Sequence, residues 1–180
     1  MATFVALARA VNLGKERALP NARLVALAED LALAGTRAVG QKGNLLLESR
    51  ASASSLERRL DRGAAERIPF DTEFFVRTPA EIRAVVAKNP FRTQARRDPA
   101  HVLVYFTKKK ASAAGLRALR ARITGPEEIR AGARHLYLLY PAGIGRSKLT
   151  TALMNETLGV HGTARNWNTV VKLATALTPR

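Results

Sequence analysis

Two short polar segments of the chain could together bind an anion. Each holds a glycine, which frees backbone N–H groups, beside amide side chains and cations that suit a phosphate or a carboxylate. The candidate residues are Arg9, Asn12, Gly14, Lys15, Gln41, Lys42 and Asn44. Asn12 and Asn44 have an alternative interpretation, in which their amides only connect two turns through side-chain to backbone hydrogen bonds.

A third candidate follows Gly143 and Gly145, where Arg146, Ser147 and Lys148 lie between a predicted strand and a predicted helix. The N–H groups at a helix start, with two cations, can hold an anion. The spacing lacks the G-x-x-x-x-G-K-[ST] pattern, so nucleoside triphosphate hydrolysis is not predicted. Alternatively, Ser147 only caps the helix.

The last candidate pair, Arg165 and Asn166, precedes a predicted final helix. Apolar residues recur there at three- and four-residue steps from Trp167, which predicts that the tryptophan packs in the core. Arg165 and Asn166 lie outside that stripe and could bind an anion. Asn166 could instead be the helix cap.

Residues for catalysis or metal binding are few. The chain has no cysteine and three histidines, and Asp71 and Glu73, on one face of an extended segment, have no obvious partner. Ser147 and Lys148 lack a third orienting group. We therefore expect a noncatalytic protein with no cofactor and no metal site.

The charge balance is strongly basic, with 30 lysines and arginines, 14 carboxylates and a net charge of +16. Such a field attracts polyanions, and it predicts a phosphate-bearing partner, nucleic acid first, bound in a salt-sensitive way. Basic residues recur on two predicted helices and just before the second of them, where the alternative is an ordinary solvated surface. The first helix carries Arg58, Arg59 and Arg62, the second carries Arg117, Arg120 and Arg122, and Lys108–Lys110 precede the second.

Hydrophobic periodicity predicts the elements that position these residues in the first half. The pattern is β-α-β-β-α-β followed by one helix. The predicted elements are a strand Thr3–Ala10, a helix from Pro20 that stops at Gly35, strands Thr36–Gly40 and Asn44–Ser49, a helix capped by Ser52 or Ser54, an extended segment Ile68–Arg77 and a helix from Pro79 to Asn89.

The β-α-β-β-α order recurs in the second half. Its predicted elements are a strand Val102–Thr107, a helix Ser112–Arg122, a hairpin of Glu127–Ala131 and Leu136–Tyr140, and helices from about Arg146 and Asn166. We predict an α+β fold of two ferredoxin-like (split βαβ) subdomains with antiparallel sheets and additional C-terminal helices. The first covers residues 1–91, a linker covers 92–100, and the second covers 101–180.

In this topology the first and third strands of a subdomain are antiparallel neighbours. The end of the first strand and the hairpin before the third therefore meet at one edge of the sheet. We expect the segment from Arg9 to Lys15 to approach Gln41, Lys42 and Asn44 there.

Four stretches together resemble the bacterial family known as domain of unknown function 1697, essentially end to end. They are Phe4–Gly14, Gln41–Asn44, Gly143–Thr150 and Arg165–Val170. The resemblance implies an α+β fold of ferredoxin-like subdomains and no known reaction. The chain departs from the family pattern at Lys15 and at Lys42, where a glycine and a serine are usual.

The sequence also bears on the location of the protein and leaves two other functions open. The apolar start Met1–Arg9 is too short for a signal sequence, and no apolar run reaches the ~20 residues of a membrane span. We therefore expect a cytoplasmic bacterial protein with no membrane partner. Two alternatives to nucleic-acid binding are a small-molecule enzyme that uses the Arg9/Asn12/Asn44 edge, and a homo-oligomeric assembly protein that pairs through a sheet edge or face.

Overall fold

The computed structural model describes residues 1–9, 19–40 and 43–178 of the chain. Its contacts divide the molecule into two compact units. Unit 1 comprises Met1–Ala84 and Lys172–Arg180, and unit 2 comprises Val85–Val171. Each unit contains one four-stranded antiparallel sheet, so the predicted α+β class with two such sheets is confirmed.

Unit 1 has the β-α-β-β-α-β order of a ferredoxin-like fold. Its sheet has the strand order β2-β3-β1-β4, and β1 pairs antiparallel with both β3 and β4. The elements are β1 Ala2–Ala8, α1 Asn21–Asp30, β2 Ala34–Ala38, β3 Asn44–Ser49, α2 Ala53–Arg67 and β4 Phe74–Arg77.

The core of unit 1 lies between this sheet and its two helices. Leu24 and Leu27 of α1, spaced for one helical face, and Leu56 and Leu60 of α2 are buried in one cluster with alternate residues of the strands, such as Phe4. Ser52 caps α2, as the sequence suggests, by accepting a hydrogen bond of 3.2 Å from the N–H of Ser55.

Unit 2 repeats the topology, with the strand order β6-β7-β5-β8. A second core cluster holds Leu116 and Leu119 of α5 and Met154 and Leu158 of α6 against the sheet. The elements are β5 Val102–Thr107, α5 Ala113–Ala121, β6 Glu128–Ala131, β7 His135–Leu139, α6 Thr151–Leu158 and β8 Gly162–Asn166.

The second half of the chain differs from the sequence prediction in two elements. Strand β8, which was not predicted, pairs with β5 and completes the second ferredoxin-like sheet. Helix α6 begins at Thr151 and not near Arg146, because Thr150 caps it by accepting a hydrogen bond of 3.2 Å from the N–H of Leu153.

Three further helices complete the described elements. They are α3 Pro79–Ala87, α4 Arg92–Arg97 and α7 Trp167–Ala176. The stretch 92–100, which its polar sequence suggests to be a linker, forms α4 and the start of a 3-10 turn, Pro99–His101. The division between the units falls within α3 and within α7.

Strand β2 is an irregular edge strand. Its pairing register with β3 shifts between Ala34 and Arg37. Gly35 lies inside this irregularity with a φ of +60°, and a Cβ there would lie 3.0 Å from Cγ of Glu48. The positive φ therefore favours glycine at this position, and a larger residue would also have to displace the Glu48 side chain.

Candidate functional site

The end of β1 and the hairpin before β3 meet at one edge of the unit 1 sheet, as the topology predicts. Leu7 pairs with Asn44, and the N–H of Ala8 donates to the carbonyl of Gly43 at 2.8 Å. We call this the first loop edge: Arg9, Gly43, Asn44 and the segment 71–73 that precedes β4. Five predicted site residues lie outside the described residues, namely Asn12, Gly14, Lys15, Gln41 and Lys42.

At the first loop edge, Arg9 is held by two carboxylates. Its Nη2 donates to Asp71 Oδ2 at 2.7 Å, and its Nε lies 2.8 Å from Glu73 Oε2, although this second contact is not aligned as a hydrogen bond. Thr72 donates its hydroxyl to the Arg9 carbonyl at 2.6 Å. Asp71 and Glu73, for which the sequence suggests no partner, therefore neutralise the guanidinium proposed to bind an anion.

Asn44 is buried, with 2% of its surface exposed. Its side-chain amide donates to the carbonyl of Val39 at 3.1 Å, across the hairpin that joins β2 to β3. In this arrangement the amide serves the turn, which is the structural alternative that the sequence left open. Its role in anion binding stays a prediction.

Unit 2 has an equivalent edge. Phe106 pairs with His135, and the N–H of Thr107 donates to the carbonyl of Arg134 at 3.0 Å, which repeats the contacts of Leu7 and Ala8. Lys108 therefore occupies the position of Arg9. We call this the second loop edge: Lys108–Lys110, Arg134 and the segment 159–161 before β8.

The carboxylates of the first loop edge have no counterparts at the second. Phe74 of β4 pairs with Ala8, and Gly162 of β8 pairs with Thr107, so His161 occupies the position of Glu73. Lys109 and Lys110 are exposed, and neither takes part in an ion pair within the described part of the chain. Sequence reasoning missed this equivalence because the fourth strand of unit 2 was not predicted.

The segment that holds Arg146, Ser147 and Lys148 is a loop and not a helix start. Ser147 donates its hydroxyl to Oε1 of Glu127 and accepts a hydrogen bond of 3.0 Å from the N–H of Leu149. The prediction that Ser147 lies at a helix amino terminus is wrong, because Thr150 holds the capping position of α6. Arg146 and Lys148 are exposed.

Arg165 and Asn166 end β8. The Oδ1 of Asn166 accepts from the N–H and from the hydroxyl of Thr169, each at 2.9 Å, so Asn166 caps α7. Arg165 donates to Oγ1 of Thr163 at 2.7 Å and to the Ala164 carbonyl at 2.8 Å. Burial of its charge lowers the pKa of Arg165 to about 10. Trp167, predicted in the core, is half-buried.

Two of the three carboxylates of α2 face the sheet. Glu57 accepts a hydrogen bond of 2.8 Å from the N–H of Val76, and Asp61 accepts one of 2.7 Å from the N–H of Phe74. Both acids therefore face β4, and Glu57 is buried. The four arginines of this helix, Arg58, Arg59, Arg62 and Arg67, are exposed, and the third carboxylate, Glu66, pairs with Arg67 at 2.6 Å.

Helix α5 carries a second basic surface. Leu116 and Leu119 face the core, whereas Arg117 and Arg120 are exposed and lie on a shared side at i, i+3 spacing. The segment Lys108–Lys110 precedes this helix. Its backbone is held in place because Thr107 donates its hydroxyl to the Lys109 carbonyl at 2.6 Å. We call the set Lys109, Lys110, Arg117 and Arg120 the α5 basic face.

Aromatic side chains of the unit 2 sheet are not available to stack on bases. Phe106 and Tyr137 are 0% and 3% exposed. The hydroxyl of Tyr137 donates to the carbonyl of Val85 at 2.9 Å, and burial raises the pKa of this tyrosine to about 12. RNA-recognition modules stack bases on exposed aromatic rings of their sheet. The buried rings of Phe106 and Tyr137 cannot serve in this way.

Comparison with known proteins identifies the family. The family model described as "Protein of unknown function (DUF1697)" matches residues 1–137. The chain belongs to this family. The motifs at residues 143–150 and 165–170 lie beyond the matched segment. No curated protein matches the chain.

A solved structure has the same fold as this DUF1697 protein. It is a conserved bacterial protein, SP0830 from Streptococcus pneumoniae, with a TM-score of 0.72 and 21% sequence identity, and the match covers 98% of this chain and 99% of that one. At this identity the likeness establishes the fold alone. In the described part of the chain, no helix has the length and hydropathy needed to cross a membrane.

Proposed function

We propose that this DUF1697 protein is a noncatalytic binding protein for a phosphate-bearing polyanion, with nucleic acid as the first candidate, and that the α5 basic face is the contact surface. The observation that carries the proposal is the uneven distribution of charge. Unit 2 holds fifteen lysines and arginines against four carboxylates.

Each of those four carboxylates has a local partner. Glu128 pairs with Arg130 at 2.9 Å, and Glu156 pairs with Arg122 at 2.8 Å. Glu127 accepts the Ser147 hydroxyl. The fourth, Asp98, accepts from the N–H of Ala100 at 3.2 Å and lies 3.3 Å from Nδ1 of His101. None of these contacts involves the α5 basic face.

The size of this face suits a nucleic-acid backbone. Helix α5 has nine residues, so it is about 13 Å long, and one strand of a duplex places about four phosphates along that length. Two exposed cations of this face, Arg117 and Arg120, lie on the helix, and Lys109 and Lys110 lie just before it. Contacts of this kind hold the backbone and read little sequence.

Binding of mixed-sequence RNA and DNA oligomers, measured by fluorescence anisotropy between 50 and 200 mM salt, tests the proposal. We expect affinity to fall steeply with salt, and K109Q/K110Q and R117Q/R120Q each to reduce the slope of log K against log salt by about 1 to 2. The control is R23Q/R83Q, which removes two exposed arginines of unit 1. Absence of binding at low salt would refute the function. Binding by both unit 2 variants that equals the control would refute the assigned surface.

A further inference from the structure

Helix α2 lines a groove that contains three arginines and one glutamate. The groove has a volume of about 400 Å³ and lies wholly within unit 1. Its lining residues are Leu31, Ser55, Arg58, Arg59, Arg62, Gly63 and Glu66. We propose that it binds a phosphate monoester of nucleotide size. This site lies in unit 1, whereas the α5 basic face lies in unit 2, and it does not depend on the function proposed above.

The positive charge of the groove is not cancelled by its own helix. Glu57 and Asp61 turn inward and accept hydrogen bonds from β4. Glu66, the acid in the lining, pairs with Arg67 at 2.6 Å. Neither Arg58 nor Arg62 makes an ion pair in the described ranges, so a bound anion would meet two unneutralised guanidinium groups.

The groove owes its shape to the close approach of two helices. A Cβ at Gly63 would lie only 2.7 Å from Cδ1 of Leu31, so the glycine lets α2 approach the end of α1. Arg59 donates to the Leu31 carbonyl, which fixes one guanidinium in place. Leu31 and Gly63 thereby form an apolar floor on which a sugar or a base can rest.

The arginine geometry favours a terminal phosphate over a phosphodiester. Arg58 and Arg62 are one turn apart at i, i+4, so both forks can reach one compact anion. A monoester carries a charge of about −1.5 to −2 and three terminal oxygens, which can accept from both forks at once. A diester offers one charge. Ser55 can donate its hydroxyl to the same group.

Adenosine 5′-monophosphate and adenosine are the probes for this site, with calorimetry and thermal unfolding as readouts. We expect the nucleotide to bind and to raise the Tm, and adenosine to do neither. R58Q/R62Q should weaken nucleotide binding at least tenfold, because each lost charged hydrogen bond is large. R58K/R62K keeps the charge but loses the forks, so it should show an intermediate loss. R23Q/R83Q is the control.

The same chemistry could come from a free nucleotide or from the end of a nucleic-acid chain. A 5′-phosphorylated oligomer that displaces the nucleotide better than its 5′-hydroxyl twin would identify the chain end, and equal displacement would identify the free nucleotide. Nucleotide binding that is undetectable at millimolar concentration, or unchanged in R58Q/R62Q, overturns the proposal. Salt-dependent oligomer binding at the α5 basic face would survive either result.

Discussion

The two loop edges show how one topology can carry opposite electrostatics. At the first loop edge, Arg9 lies between Asp71 and Glu73. At the second, the equivalent of Arg9 is Lys108, and His161 replaces Glu73. The backbone contacts are the same, whereas the carboxylates are missing from the second. The strand pairing therefore places a cation at the same position in both units. The segment before the fourth strand then decides whether carboxylates neutralise that cation.

The two units also differ in the side chain that accepts a hydrogen bond from the first residue of the fourth strand. In unit 1, Asp61 accepts from the N–H of Phe74 at 2.7 Å. At the equivalent strand position of unit 2, the N–H of Gly162 donates to Asn155, a neutral side chain, at 3.2 Å. One fold position thus accepts a carboxylate or an amide. At this position unit 1 uses an acid as the structural acceptor, and unit 2 uses a neutral amide.

Loss of an inward acid gives the largest expected effect. Glu57→Ala removes the acceptor of the Val76 N–H and a carboxylate 3.6 Å from the buried Arg77. We expect the free energy of unfolding, from urea titration, to fall by about 3 kcal/mol. Glu66→Ala, at an exposed pair with Arg67, should cost less than about 1 kcal/mol. Equal losses would show that the inward acids of unit 1 are not structural.

Strand β8 can be tested at Gly162, the position that Phe74 holds in β4. A Cβ there would lie 2.3 Å from Cζ of Tyr105 and 2.7 Å from the Phe106 carbonyl. Gly162→Ala should therefore destabilise the protein by about 2 kcal/mol through overpacking. Gly145→Ala is the control, because its Cβ would meet nothing within 4 Å. Comparable urea midpoints for the two variants would contradict the close fit of β8.

High pH should act on unit 2, which contains all three tyrosines of the chain. The folded pKa of Tyr137 is about 12, raised by burial, whereas an unfolded tyrosine titrates near 10. The folded state keeps a proton that the unfolded state releases, so stability falls as pH rises from 10 to about 12.

Tyr137→Phe separates this titration from other effects of alkali. At pH 7 it should cost about 1 kcal/mol, because the Val85 carbonyl loses its donor. Between pH 10 and 12 the difference from the wild type should shrink. Urea unfolding at each pH measures both. Parallel curves across that range would show that the hydroxyl of Tyr137 does not contribute to alkaline sensitivity.

The smallest expected effect comes from removing the carboxylates of the first loop edge, which the second loop edge lacks. D71N/E73Q leaves Arg9 without its carboxylates, and we expect oligomer affinity at low salt to rise about threefold. The cost in stability should be below about 1 kcal/mol, since Asp71 is 76% exposed. The control is E29Q/D30N, which removes two exposed carboxylates elsewhere in unit 1. An unchanged affinity would show that the first loop edge does not contact the polyanion.

Much of the fold could be predicted from the sequence because its strands are apolar and its turns have glycine. β3 and β5 have the predicted bounds, Asn44–Ser49 and Val102–Thr107. Strand β8, with the sequence GTARN, has no apolar run, and its pairing with β5 decides its structure. The start of α6 was misplaced because Ser147 and Thr150 are both plausible caps, and Glu127 engages Ser147.

The candidate site was less predictable, because its electrostatics depend on distant partners. Arg9 and Asp71 are 62 residues apart in sequence, and only the pairing of β4 beside β1 brings them together. Glu57 and Asp61 similarly face the sheet because they accept hydrogen bonds from backbone N–H groups of β4. The pattern of residues along the helix does not reveal these partners. The cations can be identified in the sequence, whereas the pairing of the strands determines which of them lie beside carboxylates.

The register shift in β2 has a consequence for how copies of this protein behave at high concentration. Between Ala34 and Arg37 the pairing of this strand with β3 loses its regular register, and the Arg37 side chain donates to the Ala176 carbonyl at 2.9 Å. An incoming strand would find few groups in phase with its own. We therefore expect this border of the sheet to resist pairing with a strand of another copy.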